Sequence, residues 1–174
     1  MNGGSTTADA AWAFLLDFYR RPGVSEACLV LQDQAGLDVV EMLMLVYADV
    51  VLGKLLPGSE IAALRAEMAG WREDVVIPLR AVRRKLKASR RDIAESAKEA
   101  LRADIKKAEL LAERLQVDFI AGWLERATSG GPALAASLTG LVRESGQDSS
   151  VESALELILT AAQTVRRAGP DAAR

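Results

Sequence analysis

Helical spacing of apolar residues dominates this chain of 174 residues. Apolar side chains recur at intervals of three and four positions, which place them on one face of an α-helix. No stretch of the sequence alternates apolar and polar residues between turn residues, as a half-buried strand would. The pattern predicts an all-α fold, a compact bundle of about seven helices that includes one long helix.

Glycine and proline divide the first half of the chain into helices. Five are predicted, at about 8–20, 24–34, 39–52, 60–69 and from 71 onward. Asp38 is placed to cap the third helix, which carries Glu41 and Asp49 in a strongly apolar run and is therefore expected in the core. Gly70 separates the last two helices, and Pro78 predicts either a kink or a helix that restarts at this proline.

The long helix is predicted to begin near Ser89, whose spacing to Asp92 matches a capping box, and to reach Ala127. An unbroken helix from Pro78 to Ala127 would be far longer than a domain of this size, so we expect a hairpin that turns near Ser89. A heptad-like apolar row along the long helix predicts packing against another helix over its whole length: Leu101, Ile105, Ala108, Ala112, Leu115 and Phe119.

A change in composition at Ser129 predicts a boundary between a helical core domain, residues 1–128, and a C-terminal region, residues 129–174. Two helices, at about 133–143 and 150–167, predict an appended helical hairpin that is followed by a short frayed tail. Periodicity leaves open whether this hairpin completes the core or docks on a partner.

Composition excludes several classes of chemistry. The chain has no histidine, which excludes His-based triads, histidine general bases and every metal or haem site that needs an imidazole. A single cysteine excludes thiolate metal clusters and intrachain disulfides, so we expect no cofactor. The net charge of −2 and the 50% of apolar residues are typical of an ordinary soluble globular protein.

The sequence also bears on location. The N-terminus has no basic region ahead of an apolar stretch of signal-peptide length. The most apolar segment, residues 39–52, is too short and too acidic to cross a bilayer. We therefore expect a cytoplasmic protein without a membrane partner.

Basic residues cluster between Arg80 and Arg91, with no acidic residue among them. On a helix, spacings of four, three and four join four of them in one cationic stripe, with Arg83 and Arg90 beside it: Arg80, Arg84, Lys87 and Arg91. Such a stripe is suited to phosphates or to an acidic partner. A pI near 5.3 and the absence of a helix-turn-helix, zinc or RNP pattern do not favour nucleic acid.

The stripe has a structural alternative, in which it pairs with acids of the same chain. A hairpin that turns at Ser89 would bring Arg80 and Arg84 to Glu95 and Glu99. The same register would bring Arg72 to an acidic pair on one face of the long helix, Glu109 and Glu113. That pair could also hold a metal, but without histidine partners an arginine-paired or solvated face is the simpler interpretation.

Two further residues have both a functional and a structural interpretation. Cys28 lies among apolar residues with no histidine to serve as its base, so we expect a packed, inert thiol. Trp71 stands beside Arg72 and is a candidate interface residue, although core packing is the commoner role of a tryptophan.

Two blocks of the sequence resemble a family of short proteobacterial proteins that is classed only as a domain of unknown function. The first block consists of Trp12 and Phe14, residues 19–33, Gly36 and Asp38. The second block begins at Trp71 and Arg72, continues through Pro78 to Lys87, and includes Glu109 and residues 112–114. The resemblance covers residues 11–115 and implies a small cytoplasmic helical protein of unassigned activity. It suggests that seven polar residues line one groove or network: Gln32, Asp33, Arg72, Arg80, Arg83, Arg84 and Lys87.

Two functional hypotheses follow. The first is a non-enzymatic protein-binding or adaptor module that uses residues 71–87, with the heptad-patterned helix, to engage a protein partner or a second copy. The alternative is a helical-bundle enzyme or small-molecule sensor, whose arginine-lined pocket holds an anionic ligand and whose acid or base is Asp33 or Glu109. A closed pocket where arginines and carboxylates converge would favour the ligand, and a flat basic face beside exposed apolar residues would favour the partner.

Overall fold

The computed structural model describes residues 7–88, 92–143 and 148–168, and every regular element in these ranges is helical. The elements are α1 (Thr7–Tyr19), α2 (Val24–Gln34), α3 (Val39–Val50), α4 (Gly58–Trp71), a π-helical segment (Arg72–Val76), α5 (Ile77–Lys85), α6 (Glu95–Arg126), α7 (Leu134–Arg143) and α8 (Ser149–Ala168). Because α4, the π-helical segment and α5 are continuous, these elements form seven helical rods. The predicted all-α bundle is confirmed.

The turns around α2 and α3 follow the local signals in the sequence. Gly23, just before α2, has φ +78°, and an added Cβ would lie 2.7 Å from Leu157 of α8, so glycine suits both the backbone and the close approach. Asp38 caps α3 as predicted, because its carboxylate accepts a hydrogen bond of 3.1 Å from the backbone N–H of Glu41.

Helix α3 forms the centre of the core. Every residue from Val40 to Asp49 is buried, and α1, α2, α6, α7 and α8 all contact this helix. Leu138 of α7 and Ile158 of α8 are fully buried in the same apolar core, and α8 packs along α2. The C-terminal helices therefore complete the core. None of the helices in the described ranges combines the length and the hydropathy of a membrane-spanning segment.

The expected break at Gly70 is wrong, because the helix continues through this residue. The irregularity appears instead as the π-helical segment, where the N–H of Ile77 donates to the carbonyl of Arg72. Pro78 has no N–H for a helical hydrogen bond, and it lies in the first turn of α5, directly after the π-helical segment. This position matches one of the two predicted roles of Pro78.

The hairpin of α5 and α6 is present, but its predicted register is wrong. Arg80 pairs with Glu109 and Glu113 instead of Glu95 or Glu99, and Arg72 pairs with Asp38 of α3. The cause is the start of α6, which begins at Glu95 and not at the predicted capping box, so the turn is centred later in the chain. Residues 89–91, including Ser89, Arg90 and Arg91 of the predicted stripe and capping box, lie outside the described residues.

The prediction that the heptad-like row of α6 packs against a helix along its length is also wrong. Leu101, Leu115 and Phe119 are 52%, 48% and 40% exposed, and of the row only Ala112 is buried. The second half of α6 packs through a different face, made of Gln116, Val117, Ile120, Ala121 and Leu124. Heptad spacing shows which apolar residues share a face, but it does not show that the chain supplies a helix to cover that face.

Candidate functional site

A cleft of about 410 Å³ lies among α1, α2, α3, α5 and α6. Its floor is apolar and is formed mainly by Trp12, Leu15, Leu16, Leu29, Val39, Val40, Leu43 and Leu110. Its polar rim consists of Gln32, Arg80, Arg83, Arg84, Lys87, Lys106, Glu109 and Glu113. We call this site, floor and rim together, the basic cleft.

Helical spacing places the basic side chains on the rim. On α5 and the turn after it, Arg80, Arg84 and Lys87 are separated by four and three residues, so they share one face. On α6, Lys106 and Leu110 are also four residues apart, and both line the cleft. Antiparallel packing of α5 on α6 then sets the two basic segments on either side of the same opening.

The arginines of the rim are paired with acids of the same chain. Arg80 donates from Nε to Glu109 Oε1 at 2.8 Å and also binds Glu113. Arg83 donates two hydrogen bonds to Glu109, from Nε to Oε2 and from Nη2 to Oε1 at 3.1 Å. Arg84 forms an ion pair with Asp33. Pairing within the chain is what the structural alternative for the stripe predicted, but none of the predicted pairs forms, because each arginine meets a different acid.

These contacts set the protonation of the acids. Burial acts to raise the pKa of Glu109, but hydrogen bonds from Arg83 and Arg80 outweigh it and lower the pKa. The hydrogen bond from Arg84 lowers the pKa of Asp33. Both acids that the sequence offered as a catalytic acid or base are therefore held as anions. Burial raises the pKa of Glu113, and the nearby charges of Glu109 and Asp38 add to this effect against Arg80.

The rim keeps an excess of positive charge. Five cations line the cleft, Arg80, Arg83, Arg84, Lys87 and Lys106, whereas three acids meet them, Glu109, Glu113 and Asp33. Lys87 and Lys106 form no ion pair with any residue that the structure describes. The two lysines are thus the cations at this opening with charge left for a ligand.

The residues singled out in the sequence separate into two groups. Gln32, Arg80, Arg83, Arg84 and Lys87 line the basic cleft, and Asp33 lies at its edge through Arg84. The other two, Trp71 and Arg72, lie elsewhere.

Trp71 and Arg72 make their contacts outside the basic cleft, although Asp38, the partner of Arg72, is close enough to the rim for its charge to raise the pKa of Glu113. The Trp71 indole packs against the core, and its N–H donates to the carbonyl of Ala112 at 3.1 Å. Arg72 binds the Asp38 carboxylate, at 3.2 Å from Nε, and the carbonyl of Gly36, at 3.0 Å. The seven-residue groove suggested by the resemblance therefore lacks one of its members, Arg72.

Arg72 belongs to a second cavity, of about 440 Å³, which we call the acidic cavity. It opens to solvent and is lined by loop residues 35–38, α3, α4, the π-helical segment, α6 and α7. Its polar lining is Asp38, Glu41, Arg65, Arg72, Glu73 and Gln116. Burial raises the pKa of Glu41 to about 7, against the opposing charge of Arg65, whose Nε lies 2.7 Å from Glu41 Oε1.

Sequence reasoning missed this second cavity. The available signal was a carboxylate, Glu41, within the most apolar helix, because a buried acid needs a local partner. Nothing in the sequence marked Gln116, since it comes close to Asp38 and Glu41 only after α6 packs on α3.

The remaining candidates have structural roles. Burial raises the pKa of the Cys28 thiol to about 12, so this buried cysteine is a neutral packing residue. In the described ranges, no three His, Cys, Asp or Glu side chains are grouped as a metal site, and arginines occupy the Glu109 and Glu113 carboxylates.

The comparisons with known proteins point to one family. The family described as "Protein of unknown function (DUF2390)" matches residues 10–120. This range includes both blocks on which the resemblance was based, as well as most of the lining of the basic cleft. No curated protein and no solved structure shows significant similarity to the chain.

Proposed function

The chain belongs to the DUF2390 family of proteins of unknown function, and from the geometry of the basic cleft we propose that it binds a small organic anion with an apolar body. The observation that carries this proposal is the combination of an apolar floor with two lysines on the rim that lack ion pairs. The floor would take the body of the ligand, and Lys87 and Lys106 would take its carboxylate or phosphate.

The size of the cleft fits such a ligand. Small-molecule sites usually have volumes of about 300–1,000 Å³ and few polar groups at fixed positions. A cleft of about 410 Å³ accommodates a medium-chain fatty acid or a bicyclic aromatic acid. The three arginines contribute as a rigid frame, because their guanidinium groups are fixed by Glu109, Glu113 and Asp33.

We propose binding without catalysis. Asp33 and Glu109 are ion-paired and have lowered pKa values, so neither is suited to take up and release a proton near neutral pH. The proposed role is that of a ligand-responsive or carrier protein in the cytoplasm. This location and the predicted domain boundary near Ser129 both stay predictions.

The test uses decanoate as the anion and decanol as a neutral molecule with the same apolar chain. Calorimetry measures both on the wild type and on the double variant Lys87→Ala/Lys106→Ala. Removing two rim cations should weaken decanoate binding about tenfold, at roughly 0.7 kcal/mol per charge contact. Decanol binding should change little.

The control is Lys85→Ala/Lys107→Ala, which removes the same charge from neighbouring positions, at the end of α5 and on α6, where Lys107 forms an exposed ion pair with Asp104. Lys85 and Lys107 are exposed and do not line the cleft. A control that weakens decanoate binding as much as the rim variant would show that only net charge matters, and the proposal would be abandoned. A wild type that binds decanol as tightly as decanoate would also contradict it.

One observation supports the adaptor hypothesis. It concerns α6 and not residues 71–87, the site first predicted for a partner. Within residues 71–87, Trp71 and the paired arginines have partners in the chain, whereas Ile77 and Val82 are 42% and 44% exposed. The exposed apolar residues of α6 form a row suited to a second copy or a protein partner: Leu101, Leu111, Leu115 and Phe119. Self-association is tested by analytical sedimentation of the wild type and of the variant Leu111→Lys/Leu115→Lys. If the row binds a second copy, the wild type sediments as an oligomer and the variant as a monomer.

A further inference from the structure

The acidic cavity has the features of a second ligand site. We propose that it binds a small organic cation with N–H groups, such as a primary ammonium or a guanidinium on a short apolar stem. It shares no lining residue with the basic cleft, so this inference does not depend on the proposed function.

One wall residue, Gln116, has a buried acceptor without a donor in the described part of the chain. Gln116 is 1% exposed and lines the cavity, and its Nε2 donates to Asp38 Oδ2 at 2.8 Å. Its Oε1 accepts no hydrogen bond from any residue that the structure describes. A rotated amide would set Oε1 against the Asp38 carboxylate, so the orientation is fixed by charge. Oε1 is itself buried, so a ligand N–H would reach it only after the Gln116 side chain shifts within the wall while Nε2 keeps its bond to Asp38.

The arginines of the wall are held by its acceptors. Arg72 donates to the Asp38 carboxylate and to the Gly36 carbonyl, and Arg65 donates to Glu41. The exposed carboxylate of Glu73 also lines the cavity and has no ion pair among the described residues. Two acceptors of the wall, Gln116 Oε1 and the Glu73 carboxylate, thus have no partner among the described residues.

The charges of the wall agree with these two acceptors. Three carboxyl groups line the cavity, on Asp38, Glu41 and Glu73, against the two guanidinium groups of Arg65 and Arg72. Because burial raises the pKa of Glu41 to about 7, the excess of negative charge is complete only above that pH. An acceptor-rich site with an excess of acids selects a ligand that donates and carries positive charge. The apolar part of the wall would pack against its stem: Leu37, Leu64, Met68, Ile120 and Leu141.

The local backbone is consistent with a site at this position. Arg72 and Glu73 both belong to the π-helical segment and both line the cavity. Segments of this type inside α-helices occur frequently at functional sites, because the widened turn changes the direction of its side chains. Asp74, the next residue of the same segment, is exposed and does not line the cavity.

The experiment is an NMR titration of the full chain with pentylammonium, with pentanol and pentanoate as neutral and anionic probes of the same stem. Pentylammonium should shift the backbone amides of Gly36, Glu41 and Gln116, and the other two probes should not. Absence of these shifts up to about 10 mM, or equal shifts with pentanol, would overturn the proposal.

Variants locate the binding. Glu73→Gln should weaken pentylammonium binding about threefold, and Asp74→Asn, a matched change of the neighbouring residue, should leave it unaltered. Gln116→Met, which removes the buried acceptor, should weaken binding about tenfold. Because Gln116 is buried, this variant is interpreted only if it folds. If it does not fold, the two variants at exposed residues decide the question. Equal effects of Glu73→Gln and Asp74→Asn on pentylammonium binding would refute the site.

Discussion

The basic cleft and the acidic cavity use the same contact, an arginine held by a carboxylate, with opposite results. In the cleft, every acid of the rim is paired and two lysines remain without ion pairs. In the cavity, both arginines are engaged, and a glutamine oxygen and a carboxylate are the groups without a described partner. The comparison teaches that the preference of a site depends on the groups left over after internal pairing, and not on its number of charges.

The largest expected effect is a loss of stability when Arg80 is removed from the ion pairs of the cleft. Arg80→Ala leaves Glu109 and Glu113 next to each other, partly buried and without their shared cation. We expect it to lower the free energy of unfolding by about 3 kcal/mol in urea denaturation, because one partner of a desolvated ion pair is lost. The matched control is Arg84→Ala, whose pair with Asp33 is about half exposed and is worth no more than about 1 kcal/mol. Equal losses for the two variants would show that burial of the Arg80 network contributes nothing.

The next effect contrasts an acid of the cavity with those of the cleft. Burial raises the pKa of Glu41 from 4.5 to about 7, so the folded state binds a proton more tightly than the unfolded state. The stability contribution of this group is therefore present below the unfolded pKa and is lost as pH rises through about 7. Glutamine does not titrate, so from about pH 4 to pH 8 the wild type should lose about 3 kcal/mol of unfolding free energy relative to Glu41→Gln. Urea denaturation of both proteins at a series of pH values measures this difference.

Glu109→Gln is the control for that measurement, and its pH dependence has the opposite sign. Because the arginines lower the pKa of Glu109, its contribution is present above the unfolded pKa and is lost as pH falls through the folded value. Against the wild type, Glu109→Gln should therefore lose stability as pH rises. If both variants followed the same trend, the assigned causes of the two pKa shifts would be wrong.

The smallest expected effect concerns salt. The lysines of the cleft are at an open rim, so raising the ionic strength from about 0.05 M to about 0.5 M should weaken decanoate binding about threefold. Binding of pentylammonium in the cavity should weaken less than twofold, because Asp38 and Glu41 are shielded from solvent and only Glu73 is exposed to the added salt. Titration of both ligands at the two ionic strengths checks the contrast, and an equal response would mean that the sites do not differ in exposure.

Most of the fold could be predicted because its signals are local. The Asp38 cap, the turn at Gly23 and the apolar run of α3 each depend on residues close in sequence. The rim of the cleft was predictable for the same reason, since Arg80, Arg84 and Lys87 share a helical face wherever α5 is placed. The family match adds that the chain has relatives, without assigning them a function.

What could not be predicted depends on how the helices pack. The start of α6 at Glu95 shifted the hairpin by more than one turn, and this decided that Arg80 meets Glu109. The same packing left Leu115 exposed although its spacing suits a helix interface. It also split Arg72 from the other arginines, because the π-helical segment directs it to Asp38.

The sequence by itself determined the helices, the central place of α3, and which basic residues share a face, because these depend on spacing and on neighbours in the chain. Only the tertiary structure decided which acid each arginine meets, which lysines keep their charge free of ion pairs, and that Gln116 closes a cavity with Asp38 and Glu41. The physical reason is that pairing and burial depend on distances between helices, and a shift of one turn, about 5.4 Å, exchanges every partner along the interface.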